Sequence, residues 1–398
     1  MKTIIVIFKK ELIDTLRDRR TLISMIAIPL LLFPILIGIS SRVMMSQMKQ
    51  AQEKVLKVAL HTSGNAEEFR RLLLADSRVQ LVENLSVDSA RSLVASDSLD
   101  AFLDFAPDFD KQVAGLQAGL VTMYFKAAEQ RDIEKSRMLG LLKEFEQELR
   151  YARFRSLNIN ESVIKTLDVR EMNLASAKEK IAEIIGGFLP YLFIIFCFLG
   201  SMYPAIDLAA GEKERGTLET LLTSPASRLE ILLGKFGVVV LTGLITAAVA
   251  MLGLYLGIVQ VKEIPAELLR TVLGILELRS IALLLSLLLP LTVFFAAILL
   301  SLSIFAKSYK EAQSIISPMM IVIIVPAFLG LMPGMTLSTT TALIPILNVS
   351  LATKAIIAGT ISPMILVEVY VSLIVFAGAS LYVCAKIFGR EGTIFRGS

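Results

Sequence analysis

Between two long apolar stretches the chain carries GEKERGTLETLLTSPASRLEILLGK, residues 211–235, its densest set of side chains capable of specific chemistry. Leu218, Leu221 and Leu222 fall at helical i, i+3, i+4 spacing, while Glu212, Lys213, Glu214, Arg215 and Glu219 place both signs of charge beside them. That chemistry is non-covalent: an apolar stripe seats a short helix in a partner's groove and the surrounding charges set its orientation. Pro225 is predicted to end this helix, and Ser227 with Glu230 three residues later forms a capping box that starts the next. An ordinary solvated loop would also be charged, but it would leave the leucines without an apolar partner.

Covalent chemistry has little to work with. The one Gly-Lys pair, Gly234 and Lys235, is followed by Phe236 and lacks the upstream glycine of a phosphate-binding loop, so this chain is expected to bind no ATP in that manner. No H-E-x-x-H or G-x-S-x-G run occurs. His61 is the only histidine, which removes imidazole zinc sites and His-based triads, and Cys197 and Cys384 each sit inside an apolar run. An ion path is the remaining possibility: Asp207 and Glu368 lie at predicted span ends, and Asn348 with Ser350 offers oxygens in a broken apolar segment. A solvated interfacial acid is the plainer reading of the two carboxylates, and loop structure alone explains Asn348 and Ser350 equally well.

The elements that must position these groups belong to a membrane protein. Hydrophobic residues make up 55% of 398 and charged residues 19%, too apolar for a soluble chain of this length. The net charge of +4 is not gathered into one block, which argues against nucleic acid. Residues 1–20 place Ile4, Ile5, Phe8, Leu12 and Leu16 on one helical face and Lys9, Lys10, Asp14, Arg17 and Asp18 mostly on the other, a pattern suited to a helix in the membrane interface, in contact with lipids. Residues 21–43 form a first span, retained rather than cleaved. Residues 44–183 change character and read as an α/β domain, with strands at Lys54 to Leu60, Arg78 to Glu83, Leu99 to Phe105 and Leu120 to Phe125. A long helix follows from Glu129 to Ser156, with a second leading back near Glu183. Residues 184–398 then carry five further spans, at Ile184 to Ile206, Phe236 to Val259, Ile281 to Ala306, Ala312 to Met332 and Ile365 to Ile387, with the loop 208–235 between the first two of these. The apolar stretch 333–363, broken by Pro333, Gly334, Pro345, Asn348, Gly359 and Pro363, either dips into the membrane and returns or lies at its surface.

With the amino terminus in the cytosol, the short inward segments 1–21, 208–235, 306–312 and 385–398 hold 15 Lys and Arg, against four in the outward loops 260–280 and 333–365. The asymmetry predicts both termini and the loop 208–235 inside, six spans, and an extracytoplasmic α/β domain inserted after the first span.

The run GEKERGTLETLLTSPASRLEILLGK closely resembles the cytosolic loop of type-2 ABC transporter permeases, and the order of segments along essentially the full chain looks like the NatB-type sodium-efflux permease branch. The resemblance implies a non-catalytic subunit of a bacterial or archaeal plasma (inner) membrane exporter that binds no cofactor of its own. ATP and magnesium would sit on a separate ABC ATPase partner, and a second permease copy would complete the path. Carried over by position, Glu212, Lys213, Glu214, Arg215, Gly216, Thr217, Leu218, Glu219 and Leu222 would couple to the ATPase, with the helix around Phe8, Leu12, Leu16 and Arg17 as the connecting helix beside them. Sodium or another small cation is the implied cargo. Export of a peptide, lipid or drug-like amphiphile is the alternative within the class, and a ligand-sensing membrane scaffold the alternative outside it.

Overall fold

A computed structural model describes residues 2–62, 67–83, 85–126, 132–158, 188–261, 274, 278–332 and 334–389. The chain divides into two compact units, Met1–Ser41 with Asn173–Ser398, and Arg42–Met172. The expected helix near Glu183, loop residues Lys262 and Arg270, and Pro333 lie outside the described residues.

Six described helices are long and apolar enough to cross a membrane: Arg19–Val43, Phe188–Glu214, Arg228–Val259, Leu278–Ser303, Tyr309–Leu329 and Pro363–Phe388, called here the first to sixth spans. An amino-terminal helix, Lys2–Arg17, precedes them. Asp18 breaks that helix and caps the first span, its carboxylate accepting from the Arg20 and Thr21 N–H groups at 3.1 and 3.2 Å. The helical path of the first span runs on past its apolar part, to Glu53 rather than stopping near residue 43.

Small residues decide how closely the spans approach, because lipid offers no hydrophobic gain to offset a loose contact. A Cβ on Gly253 would lie 2.6 Å from the Pro29 carbonyl oxygen, and one on Gly257 would lie 3.0 Å from the Phe33 carbonyl, so the third span meets the first backbone to backbone. Gly200 and Gly243 perform the same task between the second and third spans, against Thr246 and Ser201. Phe198 packs edge-on against Phe295 at 5.4 Å where the second span meets the fourth.

The broken segment before the sixth span is buried in this bundle over residues 346–353, while Leu343 and Ile344 before it are exposed. A short helix, Thr339–Ala342, leads through Ile346, at φ +73°, into a twelve-residue helix, Leu347–Ala358, whose residues from Leu347 to Thr353 are all buried. Asn348 turns the entry: its amide donates to the Ala342 carbonyl at 2.9 Å and its side-chain oxygen accepts from Val349 N–H at 2.7 Å. Ser350 donates to the Ala327 carbonyl of the fifth span, which leaves no room for a side chain at Gly330.

The second unit is an α/β layer. Four strands, β1 (Leu56–His61), β2 (Val79–Val82), β3 (Ala101–Phe105) and β4 (Val121–Phe125), lie in the order β2-β1-β3-β4, with β1 parallel to both neighbours and β3 antiparallel to β4. Period-two alternation on β3 feeds two cores. Ala101, Leu103 and Phe105 pack with Phe69, Leu73, Met138 and Phe145 on one face, and Phe102 packs with Ala90 and Val94 on the other. The long helix, Asp132–Leu157, belongs to the first core through Met138 and Phe145. Arg137 of that helix donates to Asp76 at 3.2 Å and to the Lys54 carbonyl at 3.1 Å. Burial alone would raise the Asp76 carboxyl pKa, but Arg78 and Arg137 overcome it and hold the group at about 2.

A carboxylate held below its unfolded value contributes stability that is complete above the unfolded pKa, near 3.8, and lost as pH falls towards about 2. Hydrogen exchange of β1 to β4 in the reconstituted full chain is therefore expected to accelerate between those two values. Asp76→Asn is expected to start from faster exchange at neutral pH and to lose that step; an unchanged profile in the variant would contradict the assignment.

Candidate functional site

The site is built where the end of the second span and the start of the third meet the amino-terminal helix. The second span widens into a π-turn at Asp207–Gly211 before its last turn, Glu212–Glu214. A π-turn releases backbone carbonyls from the ordinary i+4 ladder, and the Leu208 carbonyl accepts from Lys235 Nζ at 2.9 Å. Lys235, in the second turn of the third span, is only 1% exposed. Its ammonium lies 2.5 Å from Glu212 Oε1 and 3.5 Å from Glu11 Oε1, and Glu11 is likewise 1% exposed. Lys10 closes the cluster at 3.1 Å from Glu11. Partial burial pulls the Lys10 pKa down, but the adjacent Glu11 carboxylate outweighs it and the net shift is upward.

Glu11 reaches this cluster because the amino-terminal helix packs on the third span with Ile7, Glu11 and Thr15 inward. Gly234 and Gly237, one turn apart, form the groove: a Cβ at Gly234 would lie 2.6 Å from Ile7 Cγ2, and one at Gly237 would lie 3.0 Å from the Phe8 ring. The inward face is thus turned from the apolar face read in the sequence and shares only part of it. Phe8 and Leu12 are half-buried against the bundle, whereas Ile5, Leu16 and Arg17 are exposed.

The loop itself is two pieces rather than one amphipathic helix. Arg215 N–H and Gly216 N–H close the end of the second span onto the Gly211 and Lys213 carbonyls, Gly216 then takes φ +69°, and a new helix runs Thr217–Leu222. Only glycine adopts that φ without strain, which is why the break falls there. Arg215 folds back to Asp207 at 2.9 Å across Gly211, where a Cβ would crowd the Asp207 carboxylate at 2.7 Å. That hydrogen bond raises the Arg215 pKa. Glu214 accepts from the Tyr309 N–H at 2.7 Å, tying the loop to the start of the fifth span. The capping box of Ser227 and Glu230 starts the third span, with bonds of 3.0 and 3.3 Å.

Two of the residues assigned to a docking stripe therefore serve this chain instead. Leu218, 2% exposed, is anchored in the bundle core, and Glu212 is buried on Lys235. Lys213 is half-buried. Glu214, Arg215, Gly216, Thr217 and Glu219 are exposed, as is Thr220, and together they form the loop's outer surface. The side chain of Leu222 lies outside the described residues. The three ion-path residues are not assembled: Asp207 is held by Arg215, Asn348 is engaged with backbone, and Glu368 stands on the sixth span. No group of three or more His, Cys, Asp or Glu able to hold a metal occurs among the described residues.

Sequence reasoning passed over Glu11 and Lys235. The available signal was a charge at each of two places that the surrounding pattern reserves for apolar residues: Glu11 in register with Ile7, and Lys235 between Leu233 and Phe236.

A six-span bundle with this loop is matched over residues 19–385 by the family model described as ABC-2 family transporter protein. The chain is an ABC-2 family transporter protein. It is also similar to a protein of Bacillus subtilis (strain 168) described as ABC transporter permease protein NatB, 26% identical over 365 residues that make up 90% of each chain. The chain is thus an ABC transporter permease and a multi-pass membrane protein, and ATP hydrolysis in such ABC-2 transporters lies in a separate subunit. In this ABC-2 permease the amino-terminal helix, the second span and the third span converge on one buried ammonium.

Removing one partner of a buried charge cluster leaves the others uncompensated, at a cost of about 3–5 kcal/mol. Lys235→Met is expected to lower the thermal midpoint of the detergent-solubilised permease sharply, and the triple variant Glu11→Gln, Glu212→Gln, Lys235→Met to recover most of the loss. A Lys235→Met protein as stable as the parent would show that the cluster carries no energetic weight.

Proposed function

We propose that this permease is the membrane-spanning subunit of an ATP-driven exporter that moves sodium or another small cation outward, as a pair of permease copies served by ABC ATPase subunits in the cytosol. The observation that carries the coupling part is the loop's outer surface: Glu214, Arg215, Thr217, Glu219 and Thr220 are exposed on a segment braced by Lys235, Asp207 and the start of the fifth span. A surface held so firmly passes a push from a bound partner into the spans instead of absorbing it locally. The charged residues set the partner's orientation, and Leu218 transmits the displacement to the core in which it is anchored. In this reading the loop and the amino-terminal helix face the cytosol, and the α/β unit stands on the opposite side of the membrane.

For the cargo, the resemblance to the sodium-efflux branch supports a cation, and Glu368 is the residue best placed to meet one. Among the described residues its Oε2 is buried with no hydrogen-bond partner, an acceptor left open near the start of the sixth span. A second reading within the class, export of an apolar amphiphile, is favoured by one observation. A cavity of about 220 Å³ between the second, fourth and fifth spans is lined only by apolar residues, among them Phe198, Phe294, Phe295, Met319 and Ile323.

Two measurements test these readings. Glu219→Arg with Thr220→Trp alters only exposed positions, so the permease is expected to fold normally while permease-stimulated ATP hydrolysis by its partner falls about ten-fold, the equivalent of roughly 1.4 kcal/mol of lost interface; undiminished stimulation would place the docking surface elsewhere. In inverted vesicles holding permease and ATPase, ATP is expected to drive radioactive sodium inward even with a protonophore present, and Glu368→Gln to abolish it. ATP-dependent uptake of a hydrophobic dye without sodium movement would establish the amphiphile reading instead.

A further inference from the structure

Lys354 is a partly buried cation without a partner among the described residues. It belongs to the helix Leu347–Ala358 and lines a cavity of about 390 Å³ with Thr336, Leu351, Thr360, Ser362 and Ile365. Among the described residues it makes no ion pair and no hydrogen bond. The ordinary use for a lysine near a helix carboxyl end is to cover the last carbonyls, and here that task is already taken. Gly359, at φ +73°, donates to Ile356 and Thr360 donates to Ala355, at 3.1 and 3.0 Å, which closes the helix with backbone alone. Lys354 is thus left lining a cavity whose other polar side chains are hydroxyls and whose remaining lining is mostly aliphatic.

The position of the cavity narrows what enters it. The fifth span starts at Tyr309, bonded to Glu214 of the loop, and its 21 residues rise about 30 Å before the cavity-lining residues that follow it. The cavity therefore lies at the membrane face opposite the loop, at the mouth formed by the start of the sixth span. Its size is that of a small-molecule site. A ligand there meets one cation, three hydroxyls and an aliphatic wall, the recognition pattern of a phosphate joined to a hydrocarbon chain.

We propose that this cavity binds an acidic phospholipid, with its phosphate on Lys354 and the hydroxyls of Thr336, Thr360 and Ser362, and the upper part of an acyl chain along Leu351 and Ile365. The site is independent of the cargo and of the ATPase contact. Lipid held there bridges the buried helix Leu347–Ala358 to the first turn of the sixth span.

The test uses the full-length permease in phosphatidylcholine nanodiscs containing a minor fraction of spin-labelled phosphatidylglycerol, with the motionally restricted fraction read by electron paramagnetic resonance. The parent protein is expected to retain phosphatidylglycerol over labelled phosphatidylcholine. Lys354→Ala is expected to cut that preference about five-fold, the weight of one basic contact with an acidic lipid surface, while Lys354→Arg keeps it. Lys386→Ala, at the other end of the sixth span, is the control for general electrostatics and is expected to leave the preference unchanged. Equal preference in Lys354→Ala and parent overturns the proposal, as does loss in Lys386→Ala equal to that in Lys354→Ala. Added inorganic phosphate separates the two phosphate sources: no displacement supports the lipid, and full displacement at millimolar concentration overturns it in favour of a free-anion site.

Discussion

One ammonium group holds the working end of this permease together. Lys235 is buried beyond the reach of water and answered by Glu212, Glu11 and the Leu208 carbonyl, which belong to the second span, the amino-terminal helix and the π-turn. A charge taken out of water is tolerated only when every partner is in place. Any displacement of the amino-terminal helix or of the second span's end relative to the third exposes an unpaired charge to an apolar core, so the three elements are confined to one arrangement or must move as a set. Glycines make the geometry reachable, with Gly234 and Gly237 admitting the amino-terminal helix close enough for Glu11 to arrive.

The loop's form follows from that constraint. Because Glu212 is drawn inward to Lys235 and Leu218 into the bundle, the chain between them must turn outward and back within a few residues, and Gly216 supplies the left-handed conformation for it. Asp207 and Arg215 then clamp the turn across Gly211. The residues left at the surface between Glu212 and Leu218 are polar or glycine, so in the proposed coupling role a partner would meet a charged face there. An interface of that kind gives orientation and register, which is what transmission between separate subunits requires.

At the opposite membrane face the bundle is governed by backbone rather than charge. The helix Leu347–Ala358 carries non-helical chain at both ends inside or beside the membrane, and such chain persists only where its polar groups are satisfied. Asn348 and Ser350 satisfy the entry, and Gly359 and Thr360 close the exit. The two asparagine and serine oxygens that look like ion ligands in the sequence are thereby spent on the fold.

Much of this molecule was legible without coordinates because it rests on short-range rules. Hydropathy marks the six spans, period-two alternation marks the strands feeding two cores, and the spacing of Ser227 and Glu230 marks the capping box. Likewise, the full-length resemblance that named the permease class depends on residue order alone and agrees with the family match over residues 19–385. Tertiary structure decided which polar residues are at the surface and which are internal. Glu11, Lys235 and Glu212 are spread over more than two hundred residues, and periodicity within one helix has no means of recording a partner on another. Leu218 reads as exposed apolar surface until the bundle that receives it is present, and Lys354 reads as an ordinary basic loop residue until the chain around it closes into a cavity. Burial is a property of the assembled bundle, and with it goes the difference between a charge left at the surface and a charge that locks helices together.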